Sequence, residues 1–257
     1  MVVLQDANVL VLGLGSSGLA MARWCTRQGA RVTVADTRAA PPQLLALQTT
    51  VPTAHCVHAA LDARLLQGDR PDLLLKSPGL TPAQVAPVLD AAGAVGIPVA
   101  GELDLFALAL AELQSSRSYQ PRILAITGTN GKTTVASLTA QLVARAGKSV
   151  ALAGNIGPTL LDTLAQHLDQ DTLPEVWVLE LSSFQLADMA PQVLLQQGAD
   201  SIRLEAAAAC VLNLSQDHLD WHGDMAAYAA AKSQVFGTQA LMAVSYTHLT
   251  LPTSDLV

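Results

Sequence analysis

Two glycine-rich turns constrain this chain more than any other feature: Gly13-Leu-Gly-Ser-Ser-Gly18 and Gly128-Thr-Asn-Gly-Lys-Thr-Thr134. Each follows a short apolar run, Val9-Leu-Val-Leu12 or Arg122-Ile-Leu-Ala-Ile126, and each opens a helix-forming stretch. The first helix is expected over Leu19–Gln28, with Gly29 as its C-cap, and the second over Thr133–Ala146, ended by Gly147. Another apolar run follows each helix, Arg31-Val-Thr-Val-Ala35 and Ser149-Val-Ala-Leu-Ala153. Strand, glycine turn, helix and strand in that order make a β-α-β unit, so the fold class is α/β, with parallel strands covered by helices. Further strands are expected at Asp72–Leu75, Ile97–Ala100, Glu175–Glu180 and Ala208–Asn213, and further helices near Ala83–Ala92 and Leu103–Leu113. The polar, aperiodic segment Ser115–Pro121 separates the two halves and is read as a domain boundary.

Composition narrows the function classes. The chain has 257 residues, 51% of them hydrophobic, 4% aromatic and 14% charged, which suits an Ala-rich globular α/β protein of one large or two ordinary domains. Its formal charge of −7 leaves no basic footprint, so nucleic-acid binding is not expected. A small anion remains possible, because a few local donors at a helix start hold one regardless of net charge. Cys25, Cys56 and Cys210 form no CxxC pair, so they are read as reduced thiols rather than a disulfide or zinc framework. Asp6 follows Met1 too closely for a signal peptide, and no uncharged apolar stretch is long enough for a membrane span. A cytoplasmic protein with no membrane partner is the expectation.

The first turn matches G-x-G-x-x-G in the strand-to-helix context that the motif needs, so its backbone amides can receive a phosphate. Asp36, ending the second strand, is placed to accept from a ribose or a base. The plain alternative is a glycine turn that only lets the helix approach the sheet. The second turn departs from the usual phosphate-loop spacing: five places before Gly131 stands Ile126, not glycine. Lys132 at a helix start opposes the helix dipole, a cost that an incoming polyphosphate offsets. Lys132 can then neutralise the β and γ phosphates, and Thr133 can offer its hydroxyl to Mg²⁺. Glu180 closes a strand beside that turn and is a second oxygen donor. Asp217-His-Leu-Asp220 groups a histidine with two acids, and Lys232 lies in a helix-like run. Taken alone, these last two read as a loop histidine and a solvated lysine.

Taken together, the motifs resemble the Mur ligase family of ATP-dependent ligases. Gly128–Thr134 has the family's shorter glycine spacing, a form that folylpolyglutamate synthases share. Gly154-Asn-Ile-Gly157, Leu179-Glu-Leu-Ser-Ser-Phe-Gln-Leu186, Asp217–Asp220 and Ala230-Ala-Lys232 occur in the order of the D-glutamate-adding branch. Gly13–Gly18, Asp36-Thr-Arg38 and Lys76-Ser-Pro-Gly-Leu80 match its first domain, and the resemblance covers roughly residues 5 to 237. It implies a Rossmann-like UDP-binding domain over residues 1–116 and a partial P-loop-type ATPase domain over 121–243. Ser16, Ser17, Asp36, Thr37, Arg38, Ser77, Pro78 and Gly79 would line the UDP pocket. Gly128, Thr129, Asn130, Gly131, Lys132, Thr133 and Thr134 would hold ATP. Thr133, Glu180, His218 and Lys232 would serve Mg²⁺, with Lys232 carbamylated by CO₂. Asn155, Ser182 and His218 would contact the muramoyl-alanine end. Lys132, Glu180, His218 and Lys232 would be the catalytic set. The implied partners are UDP-N-acetylmuramoyl-L-alanine, ATP and D-glutamate, the implied reaction peptidoglycan precursor synthesis through an acyl phosphate, and the implied state a monomer.

The chain also departs from the family pattern. Residues 244–257 do not resemble its continuation, and the family's C-terminal domain that reads the amino acid is expected to be missing from these 257 residues. Pro252 argues against a central strand in that tail, leaving a hairpin or sheet edge. Trp221 stands where a basic residue is usual, and Ala187–Ala207 is a longer connection than is typical. The expectation is a fragment without turnover, with an exposed sheet edge in its second half. A UDP-nucleotide-binding module without catalysis and a folylpolyglutamate-synthase-like ligase are the alternatives; the first-domain glycine turn and Asp36-Thr-Arg38 argue against the latter.

Overall fold

The computed structural model describes residues 4–189, 196–197, 200–201, 204–238 and 240–244. The tail after Val244 and much of the Ala187–Ala207 connection lie outside the described residues. The chain forms two compact units, the first made of Met1–Tyr119, Thr159–Leu173 and Asp188–Leu204, the second of Gln120–Pro158, Pro174–Ala187 and Glu205–Val257.

The first unit runs β1 (Asn8–Leu12), α1 (Ser16–Arg27), β2 (Arg31–Asp36), α2 (Leu44–Thr50), β3 (His55–His58), β4 (Leu73–Lys76), α3 (Pro82–Ala94), β5 (Val99–Ala100) and α4 (Glu102–Arg117). Its sheet is parallel throughout, in the order β3-β2-β1-β4-β5. β1 is central and buried along its whole length, which the apolar run Val9–Leu12 explains, since a strand covered on both faces has no polar side to alternate, while Asn8 at its start donates to Asp69 O and Arg70 O. Leu10, Leu12, Leu74, Val85, Val88 and Ala92 meet in the core between the sheet and α3. α4 continues to Arg117, so the polar boundary shrinks to residues 118–121. Its last turn is polar but helix-forming, and Ser118 in the left-handed region ends it.

The second unit contains β6 (Arg122–Thr127), α5 (Lys132–Arg145), β7 (Val150–Gly154), β8 (Val176–Glu180) and α7 (Ser183–Ala187). Between β7 and β8 in sequence comes α6 (Leu160–Gln170), which belongs to the first unit. A short antiparallel pair, β9 (Gln196–Gln197) and β10 (Asp200–Ser201), follows α7. The chain then continues through β11 (Ala208–Val211), α8 (Leu219–His222), α9 (Met225–Ser233) and β12 (Leu241–Val244). The second sheet is also parallel, in the order β12-β11-β6-β8-β7. β12 is an edge strand beyond the four expected strands, reached after a single 3₁₀ turn at Gln234–Phe236. The fold is therefore α/β with two parallel sheets, as the two β-α-β patterns require.

The three cysteines are free, and burial pushes the Cys25 thiol up to about 12, where it is inert at neutral pH. Among the described residues no helix is long and apolar enough to cross a membrane.

Candidate functional site

Each unit places its glycine turn where its topology opens a crevice. In the first, the chain steps from β1 to β2 and β3 on one side and then to β4 on the other. Ligands bind outside the carboxyl ends of strands at such a switch point. A cleft of about 510 Å³ lies there, and Ser16, Ser17, Asp36, Thr37, Arg38, Ser77, Pro78 and Gly79 all line it, together with Leu80 and Gln84. Gly18 lets α1 abut the turn, since a Cβ there would fall 2.0 Å from the Gly13 carbonyl oxygen. Ser77 Oγ donates to that carbonyl at 2.8 Å and ties the end of β4 to the turn.

Asp36 behaves differently from its sequence reading. Its carboxylate accepts from Leu14 N at 2.7 Å, Arg38 N at 2.9 Å, Arg38 Nε at 2.8 Å and Arg38 Nη2 at 2.6 Å. Four donors fill what a carboxylate can accept. The Arg38 side-chain bonds lower its pKa to about 2, with the Leu14 amide adding to them and burial opposing. Asp36 thus fixes the glycine turn and Arg38 rather than offering a free acceptor to a ribose or base.

In the second unit, connections leave β6 and β11 in opposite directions, and the Gly128–Thr134 turn sits at their carboxyl ends. Gly128 has φ of 154°, and a Cβ on it would lie 3.0 Å from Leu212 Cβ, so the turn passes close over the end of β11. Thr129 N donates to Asn213 O at 3.0 Å, Asn130 N to Asn213 Oδ1 at 2.9 Å, and Asn213 Nδ2 to Asn130 O at 3.0 Å. Thr129 Oγ1 lies 3.0 Å from the Tyr228 hydroxyl. Asn213 and Tyr228 were not singled out from the sequence; a polar residue directly after the apolar run of β11 is the signal that marks Asn213. Thr134 is exposed on the first turn of α5.

Two lysines converge on this loop. Lys132 Nζ folds back to Gly128 O and Thr129 O, each at 2.9 Å, which satisfies it despite the helix dipole. Lys232 Nζ donates to the same Gly128 O at 2.9 Å and to Thr127 Oγ1 at 3.4 Å. Lys232 is only 2% exposed and stands 4.7 Å from the centre of the Tyr228 ring, so the solvated-lysine reading fails. Burial, then the Lys132 charge, brings its pKa down to about 8, with Asp217 opposing.

Glu180, at 1% exposure, ends β8 beside them. Its Oε2 accepts from Thr133 Oγ1 at 2.9 Å and its Oε1 from Asn155 Nδ2 at 3.1 Å, while its carbonyl accepts from Asn155 N at 2.8 Å. Thr133, Asn155 and Glu180 are therefore brought together. Ser182 is buried; its N donates to Gln185 Oε1 at 3.0 Å and its Oγ accepts from Gln185 N at 3.1 Å, a capping box at the start of α7. His218, in the left-handed region, packs its ring 4.6 Å from Phe184, and its Nε2 lies 3.4 Å from Asp217 Oδ2. Among the described residues no group of three or more His, Cys, Asp or Glu side chains could hold a metal ion. The oxygen pair Thr133–Glu180 fits a hard divalent cation by donor type.

Comparison with known proteins gives a consistent picture. Residues 7–101 match the MurD-like N-terminal domain of Mur ligases, and residues 126–247 match the Mur ligase middle domain. A UDP-N-acetylmuramoylalanine–D-glutamate ligase of Albidiferax ferrireducens is 61% identical over 239 residues, covering 93% of this chain and 45% of that protein. The enzyme of that name from Ralstonia nicotianae is 55% identical over 236 residues, covering 91% and 44%. Among solved structures, the MurF ligase from Thermotoga maritima in complex with ADP aligns over 95% of this chain and 44% of that one, at 15% identity and a TM-score of 0.42. The chain spans about half the length of the curated relatives it matches. With two consecutive Mur ligase domains matched in order and high identity along nearly its whole length, the chain belongs to the Mur ligase family.

Proposed function

We propose that this chain carries the two nucleotide sites of an ATP-dependent ligase that joins D-glutamate to UDP-N-acetylmuramoyl-L-alanine. The observation that supports it best is the meeting of Thr133 with the strand-end carboxylate Glu180, 2.9 Å apart, at the head of a lysine-bearing glycine loop. In this reading residues 1–116 take the UDP group, with Ser16, Ser17, Thr37, Arg38 and Ser77–Gly79 around the cleft and Asp36 holding Arg38 in place. Residues 121–243 take ATP through Gly128–Thr134.

Lys132 exchanges its two carbonyls for the β and γ phosphates and neutralises charge as the phosphoryl group transfers. An oxygen of the alanyl carboxylate bonds to the γ-phosphorus as the bond to ADP breaks, giving an acyl phosphate. The amine of D-glutamate then bonds to the acyl carbon, the carbon–oxygen bond to phosphate breaks, and the nitrogen loses a proton. Asn155, Ser182 and His218 contact the muramoyl-alanine end. Thr133 and Glu180, with His218 and Lys232, form the proposed Mg²⁺ set, and a bound Mg²⁺ supplies further neutralisation of phosphate charge. Lys232 joins that set as a carbamate: its neutral amine adds to CO₂ and releases a proton, a reaction eased by a pKa brought down to about 8. A cytoplasmic monomer completes the reading, and sedimentation at the mass of one chain checks the second point.

Calorimetric titration of the 257-residue chain tests the proposal. Both UDP-N-acetylmuramoyl-L-alanine and Mg·ATP are expected to bind. Arg38→Ala should weaken only the first and Lys132→Ala only the second. Failure of the wild-type chain to bind either ligand overturns the assignment of that site.

A further inference from the structure

Gln84 lines the cleft of the first unit, yet its orientation is fixed from outside the cleft. It is the third residue of α3, and its Oε1 accepts from Thr81 N at 2.9 Å and from Thr81 Oγ1 at 3.1 Å. Its own backbone N donates to Thr81 Oγ1 at 3.3 Å. This capping box decides which way round the carboxamide stands, because a backbone N–H can meet only its oxygen end. The oxygen is turned to the helix start, so the amino end, Nε2 with two N–H donors, is the part left to serve the cleft.

The walls of the cleft separate a base end from a phosphate end. On one wall Ser77 Oγ donates to Gly13 O at 2.8 Å, and a Cβ on Gly13 would lie 3.1 Å from Leu80 Cδ1. On the other, Leu14 N donates to Asp36 Oδ2 at 2.7 Å. Both walls thus meet the glycine turn at its first two residues. The amides expected to receive phosphate lie beyond them, at the start of α1 with Ser16 and Ser17. A nucleotide with its phosphates at α1 therefore places its base between the walls, beside α3. Asp36, the acid expected to read that base, is already filled by Leu14 and Arg38.

We propose that Gln84 is the specificity-determining residue for the base, its Nε2 donating to uracil O4 and selecting a uracil nucleotide over a cytosine one. The inference rests on the reading of this cleft as a UDP site. Uracil carries an acceptor at C4, across the ring from the nitrogen that bears the ribose, whereas cytosine carries an amine donor there. Against Nε2, cytosine sets donor against donor and leaves both unpaired. Turning the carboxamide over would offer its oxygen to cytosine, but it would also face Nε2 to Thr81 N and break the cap of α3. The cap therefore holds the reader in one state, and CDP should bind roughly tenfold more weakly than UDP.

Competition titration of the 257-residue chain tests this, with UDP and CDP each displacing bound UDP-N-acetylmuramoyl-L-alanine. Wild type is expected to prefer UDP. Gln84→Glu keeps an acceptor for both Thr81 donors, and so keeps the cap, but exchanges the N–H donors for a second oxygen. Its charge opposes both pyrophosphates alike, so the ratio of UDP to CDP affinity isolates the reading of the base. That ratio should fall to one or below, because the carboxylate accepts from the cytosine amine. Gln84→Leu removes donor and charge together and should bring the ratio to one. Equal displacement by the two nucleotides in wild type, displacement by neither, or a wild-type ratio kept in either variant overturns this inference and leaves the UDP-sugar site standing. No binding of UDP-N-acetylmuramoyl-L-alanine by the wild type overturns both.

Discussion

The two glycine turns start from one plan and reach opposite electrical states. In the first, Asp36 takes four hydrogen bonds and balances Arg38, so the acid and the base are matched inside the protein. In the second, Lys132 and Lys232 both donate to Gly128 O, and their mutual repulsion helps bring the Lys232 pKa down to about 8. The helices behind the turns differ in the same sense. α1 buries Leu19, Met21, Trp24 and Cys25 among others, whereas α5 buries only Ala136 and leaves Leu138 and Leu142 more than half exposed. Glycine spacing thus marks where phosphates are expected. The surrounding charge marks which turn is complete in itself and which has cations that a polyphosphate would relieve.

Lys132→Ala probes the contrast most severely. It should weaken ATP binding by about 10- to 10²-fold, because a charged hydrogen bond to phosphate worth about 1.5–3 kcal/mol is lost; a change of less than about threefold by equilibrium titration would show that the loop does not depend on this cation. Asp36→Ala comes next. It should cost the fold about 2–3 kcal/mol, since Leu14 N and Arg38 lose a charged acceptor, and denaturant unfolding reads this directly. The same group sets an acid limit. Its folded pKa of about 2 lies below its ordinary 3.8, so its contribution is full above the ordinary value and is lost as pH falls towards about 2.

Lys232 sets the opposite trend at high pH. An unfolded lysine keeps its proton up to 10.5, while the folded one releases it near 8, so between these values rising pH favours the fold. A gain of about 3 kcal/mol across that window is expected in wild type kept free of CO₂, and it should vanish in Lys232→Met. The smallest effect belongs to Arg27→Ala. Arg27 Nη2 lies 2.7 Å from Asp169 Oδ1, but both side chains are exposed, and the change should move stability by less than about 0.5 kcal/mol. A larger loss would mean that surface pairs, rather than Asp36, order the first unit.

Much of this organisation was readable in advance. Strand, glycine turn and helix appear at both expected places because an apolar run followed by glycine leaves few alternatives. The weakly buried elements were not readable. β3 has no fully buried residue and α2 has only Leu47, so neither carries a clear apolar period. α6 did leave a trace: Thr159 accepts from Asp162 N as an N-cap, ahead of buried Leu160, Leu161 and Leu164. The meeting of Thr133 with Glu180 was legible, because a carboxylate that ends a strand beside a glycine turn has few other neighbours. The burial of Glu102, at 3% exposure, was not legible, because an acid in a first helical turn ordinarily signals only a favourable dipole contact. Its burial depends on α6, 58 or more positions further along the chain, and no local pattern records that.

The discontinuity of the first unit has a consequence for how the protein is made. α6 supplies that unit with the Leu161 amide that bonds Glu102 and the acids that face Arg23 and Arg27. A ribosome reaches α6 only after it has made β6, α5 and β7 of the other sheet. The amino-terminal half of the nascent chain must therefore wait, with Glu102 short of the Leu161 amide and Arg23 and Arg27 without their acids, while part of its neighbour is synthesised. Chains arrested near residue 119 should resist protease less than chains arrested beyond residue 173, although every strand of the first sheet is present in both.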